Sequence, residues 1–114
     1  MNMKLYVWQR GSAMLMLPMI LVHLAVIFYA MGQKLTAQAI LARTQGSIAW
    51  ALFYGLFVVL ASIHASIGLR NVLCEWAGFR DPVAWRCSIF IALLLLVLGL
   101  FAVTAVTLPE GLHP

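Results

Sequence analysis

The chain has 114 residues, 65% of them hydrophobic and only 9% charged, and seven basic against three acidic side chains give a net charge of +4. A soluble domain carries roughly 45–50% apolar and about 25% charged residues, so with a mean hydropathy of +1.04 this chain lacks the polar surface of a water-soluble globule. Its basic residues are scattered and form no patch or stripe, which excludes nucleic acid as a partner.

Three charge-free runs, Gly11–Gln33, Thr44–Leu69 and Cys87–Pro109, each hold 23 to 26 residues. As helices these reach about 35 Å or more, enough to cross a bilayer. The expected fold is an all-α membrane protein in which three transmembrane helices form part of a heteromeric bundle. Residues 1–114 read as a single membrane-anchor domain with spans at about 11–32, 47–70 and 87–108.

In chain order, Lys4, Tyr6 and Trp8 come first, at interfacial depth, where amphipathic rings are favoured. The first span is too long for the core of a signal peptide and has no small-residue cleavage site after it. It contains Pro18, which is expected to kink it or free a carbonyl near Met14. Gly32–Gly46 reads as a polar loop. The second span follows and can continue to Leu73; then comes the most charged stretch, Arg70–Arg86, with the breaker Asp81-Pro82. The third span has only Ser88, Thr104 and Thr107 as polar groups and reads as lipid-facing. Cys74 and Cys87 flank one loop without a C-x-x-C spacing, so they read as ordinary reduced thiols.

Lys4, Arg10, Arg70, Arg80 and Arg86 fall on one side of the membrane, Lys34 and Arg43 on the other. Basic residues stay cytoplasmic. This places the N-terminus in the cytoplasm and the C-terminus in the periplasm of a bacterial inner membrane, with the matrix side of a mitochondrial inner membrane as the less favoured equivalent.

Two spans each hold a histidine, and an ionisable residue within a span is costly enough to suggest function. The structural alternative is an interhelical hydrogen bond. Around His64 lie Ser62, Ala65, Ser66 and Gly68, with Arg70 about 9 Å further along the axis,. Small residues admit a broad flat group or simply a second helix. An imidazole, a shallow wall and an interfacial cation together suit a haem b with its propionates. His23 lies about 20 Å beyond Arg10, roughly 10 Å from the depth of His64, so one haem joining both is strained. His23 then either serves a second haem iron or bonds within the bundle. Near the cytoplasmic end, Arg10, Ser12, Arg70, Glu75 and Trp76 supply donors and a carboxylate at one depth. They are either an ordinary helix boundary or a site for a quinone headgroup.

Gln9-Arg10-Gly11-Ser12, His64-Ala65-Ser66-Ile67-Gly68, and Arg70 followed by Glu75-Trp76 resemble the membrane-anchor (cytochrome b) subunits of succinate dehydrogenase and fumarate reductase. The resemblance spans most of the chain in architecture and about 25 residues in motif. It implies pairing with a second membrane-anchor subunit around a shared haem b, with His64 as an axial ligand. It also implies a quinone site (ubiquinone or menaquinone) near Arg10, Arg70 and Ser12, an iron–sulfur subunit and a flavoprotein subunit. The chain departs from the family where Glu75-Trp76 replaces the usual Asp-Tyr. An indole N–H donates but cannot relay a proton. His23 has no general counterpart in the single-haem pattern.

The expected function is a non-catalytic anchor that passes electrons between an iron–sulfur subunit and membrane quinone. Rival readings are a haem-free structural or quinone-binding anchor, a structural subunit of another complex, and a small transporter subunit. The last is disfavoured because no span carries an internal Asp or Glu,.

Overall fold

The computed structural model describes residues 3–109; Glu110, the acidic residue of the C-terminal end, lies outside them. Four helices follow in order: α1 (Met3–Met31), α2 (Ala37–Thr44), α3 (Ile48–Glu75) and α4 (Asp81–Thr107). Three of them, of 29, 28 and 27 residues, are long and apolar enough to cross a membrane. Each is about 40 Å long at 1.5 Å per residue.

The helices outrun the expected spans. α1 starts at Met3 and takes in Lys4 and Arg10, α3 continues to Glu75, and α4 begins at Asp81. Hydropathy marks the stretch that can lie in hydrocarbon, whereas the helix continues through the interface, where charged heads reach water. α1 also runs unbroken through Pro18. The loop expected at Gly32–Gly46 contains α2, whose N-cap Thr36 accepts a hydrogen bond from the Ala39 N–H at 3.1 Å. Eight residues with a capping threonine are too short and too mixed to register as a span.

α3 is the central helix, with α4 packed along one side and α1 along another, while α1 and α4 barely touch. The packing is inverted relative to a soluble protein. Phe28, Leu52, Phe90 and Phe101 are exposed, whereas Ser12, Ser62, Ala84, Ser88 and Thr107 are buried. Lipid is as apolar as leucine, so close approach of small residues drives association. The third span is accordingly more than a lipid-facing wall, because Ala84, Ser88, Val103 and Thr107 form its buried face.

Two tight turns close the bundle. Gly46 (φ +77°) leads into α3, whose N-cap Ser47 accepts from the Trp50 N–H at 3.2 Å. Gly78 (φ +71°) lies between α3 and α4; both need the left-handed conformation that glycine supplies without steric cost. The end of α2 is tied to the end of α4. The Thr44 hydroxyl donates to the Val106 carbonyl at 2.7 Å, and the Gly46 N–H donates to the Thr107 carbonyl at 2.8 Å. These carbonyls belong to the last turn of α4, which has no donors of its own.

The α3–α4 seam is closest at Gly99. A Cβ there would fall 2.6 Å from Cγ1 and 3.0 Å from Cγ2 of Val58, a β-branched side chain with little rotamer freedom. Gly99→Ala is therefore expected to destabilise the bundle by about 1–3 kcal/mol, and adding Val58→Ala should recover much of it. Unfolding in mild detergent measures both.

Candidate cofactor-binding site

Antiparallel packing of α1 on α3 sets two polar contacts at different depths. At the N-terminal end of the bundle, Ser12 Oγ lies 3.3 Å from His64 Nδ1. Further along, His23 Nδ1 lies 3.4 Å from the Tyr54 hydroxyl. Between these pairs are 11 residues of α1 and 10 of α3, so the two histidines sit about 15 Å apart in depth,. The roughly 10 Å expected from the sequence is too small, and one iron cannot bind both rings.

Ser12 is only 2% exposed. Its hydroxyl donates to the Gln9 carbonyl at 3.0 Å, and the same oxygen lies 3.3 Å from His64 Nδ1, which ties the ring to α1 through one nitrogen. Nε2 has no hydrogen-bond partner among the described residues. An imidazole fixed through one nitrogen with the other basic is the form in which histidine binds a metal.

The small-residue face beside His64 is used by α1. Gln9 packs against Gly68, where a Cβ would lie 3.4 Å from Gln9 Nε2. Gln9 Oε1 is buried without a partner. Sequence reading missed both this acceptor and the Ser12–His64 pairing; the sequence carried Gln9 next to Arg10 but not the register that turns it onto Gly68. Ser62 and Ser66 bond back to the Val58 and Ile63 carbonyls at 2.8 and 2.9 Å.

The other expected residues gather loosely at the same end. Arg70 donates through Nε to Asp81 Oδ1 at 2.9 Å and pairs with the same oxygen through Nη2. It also donates to Asn71 Oδ1 at 3.0 Å and lies 5.7 Å from the Trp85 ring centroid. Arg70 thus holds the α3–α4 turn. Arg10 is exposed and stacks on Tyr6 at 5.4 Å, with no carboxylate partner among the described residues. Glu75 and Trp76 are exposed at the end of α3, Trp76 at 85%. Cys74 and Cys87 are free thiols.

His23 packs edge-on against Tyr54, with centroids 5.6 Å apart, and tilted against Phe57 at 6.1 Å. The contact with Tyr54 has the geometry of an interhelical hydrogen bond. Among the described residues, no three His, Cys, Asp or Glu side chains cluster to hold a metal ion. A haem iron, which takes four nitrogens from its porphyrin, needs no such cluster.

Two apolar helices packed on a central third, with a histidine held against a serine across one seam, define a membrane-embedded helical subunit. A family profile described as the succinate dehydrogenase/fumarate reductase transmembrane subunit matches residues 1–104. The chain belongs to that family and is a membrane-anchor subunit of such an enzyme. No curated protein and no solved structure gives a significant match.

Removing the partner of His23 tests its structural role. Tyr54→Phe is expected to cost about 0.6 kcal/mol, the average for an interhelical hydrogen bond in a membrane, as measured by reversible unfolding in bicelles.

Proposed function

We propose that this subunit binds haem b through His64 Nε2 and contributes to a quinone site at the N-terminal end of its bundle, within a complex of the succinate:quinone oxidoreductase type. The observation that carries the reading is the His64 ring held through Nδ1 at 3.3 Å from the buried Ser12 hydroxyl, with Nε2 left without a partner among the described residues. A second membrane-anchor subunit would supply the other ligand to the iron, because His23 lies at another depth. When bound, the haem supplies a one-electron store between an iron–sulfur cluster and quinone.

The chain's own residues divide the remaining work. Ser12, expected from the resemblance to line the quinone site, is assigned to orienting His64, since its hydroxyl is buried and lies 3.3 Å from Nδ1. Arg10, free of any carboxylate among the described residues, is the cation available to a propionate or a quinone carbonyl. Arg70 supports the same end by fixing the α3–α4 turn. Trp76 offers an indole donor, and Glu75 a carboxylate through which a proton can reach water. The five-to-two basic asymmetry turns this end toward the cytoplasm of a bacterial inner membrane,, where the iron–sulfur subunit and its flavoprotein partner dock.

Reduced-minus-oxidised and pyridine haemochrome spectra of the purified assembly test the reading. Haem b is expected in the wild type and absent in His64→Ala. Ser12→Ala should keep the assembly intact while weakening haem retention by about 10-fold or more and shifting the haem midpoint potential. An active wild-type assembly without haem overturns the cytochrome reading; an unchanged potential in Ser12→Ala removes the role given to Ser12. At the quinone site, Trp76→Phe is expected to raise the KM for a short-chain quinone about 2- to 10-fold, the worth of one ordinary hydrogen bond, with kcat little changed.

A further inference from the structure

α1 and α4 pack on different sides of α3 and barely touch each other, leaving a slot of about 530 Å³ at the α2 end of the bundle. This is within the roughly 300–1,000 Å³ range of small-molecule sites. Along α3 it runs from Trp50 to Val58, about 12 Å at the helical rise,. Its walls are aliphatic, from Val26 and Ile27 on α1 to Val103 and Val106 on α4.

The polar groups in the slot are largely engaged. His23 and Tyr54 face each other at 3.4 Å, and the Thr44 hydroxyl donates to α4. Besides His23, the N–H donors in its lining are the Trp50 indole and Arg43,. At the α2 end, Arg43 also lines the slot; its guanidinium lies 5.5 Å from the Tyr29 ring centroid and has no carboxylate partner among the described residues. The two described carboxylates, Glu75 and Asp81, are at the opposite end of the bundle. An apolar channel of acyl-chain depth with a cation at its interfacial end that has no carboxylate partner among the described residues is complementary to one kind of membrane molecule.

We infer that this slot holds an acyl chain of an anionic phospholipid, with the lipid phosphate on Arg43. The site is separate from the Ser12–His64 contact, about 15 Å away in depth,, and does not depend on whether His64 binds haem. Its occupant bridges α1 and α4 where the protein itself does not.

The test uses the complete complex, delipidated and exchanged into nanodiscs of phosphatidylcholine with a minor fraction of phosphatidylglycerol, with retained molecules counted by native mass spectrometry. The wild type is expected to retain phosphatidylglycerol with about a five-fold preference over phosphatidylcholine, the contribution of one interfacial cation. Arg43→Gln should bring the preference close to one, and Arg43→Lys should keep most of it. Ala102→Phe, which fills the slot from α4, should lower retention of both lipids while the complex stays monodisperse with all its subunits. Four results overturn the proposal: no retained lipid in the wild type, a phosphatidylglycerol preference in Arg43→Gln as large as the wild type's, a retained quinone, or a second haem in place of phospholipid.

Discussion

A hydroxyl buried in a bilayer has no water to turn to, so its proton must be satisfied within the protein. This chain meets that constraint locally. Ser62, Ser66, Ser88, Thr104 and Thr107 all donate to carbonyls three or four residues earlier in their own helices. Ser12 does the same toward Gln9 but lies against α3, so its oxygen also meets His64 Nδ1 at 3.3 Å. The hydroxyl beside the histidine of the motif thus obeys the same rule as the others.

The same rule explains the inverted packing. Hydroxyls satisfied at home are small, inert surfaces, and with alanine and glycine they let helix backbones approach closely. Ser88 and Ala84 are fully buried on α4, and Gly99 comes so near Val58 that no Cβ fits. α3 gains two close neighbours in this way, while the large aliphatic and aromatic side chains are left for lipid or for partner subunits.

Much of this was legible in the sequence. The charge-free runs located the three spans, and the motif around His64 pointed to the right family. Helix ends were not legible, because Lys4, Arg10 and Asp81 interrupt hydropathy without interrupting the helix. Nor was α2, whose eight residues fall within a polar loop. Pairings across helices escaped as well. The neighbours of Ser12 and Arg70 could not be read, since depth can be counted along a chain but azimuth and register depend on how the helices dock. The Arg70–Asp81 pair and the contact of Ser12 with His64 both arise from that docking.

The uneven seams around α3 also bear on how the subunit is made. α3 and α4 share the longer interface and are joined by a five-residue turn, Trp76–Arg80, held by Arg70 and Asp81. They are suited to leaving the translocation machinery as a helical hairpin. α1, synthesised first, has its main interface with a helix that emerges later. Until that interface closes, His64 lacks its Ser12 neighbour, and the 3.3 Å pairing forms only as that later seam does. The surroundings of the histidine are thereby completed by the subunit's own assembly.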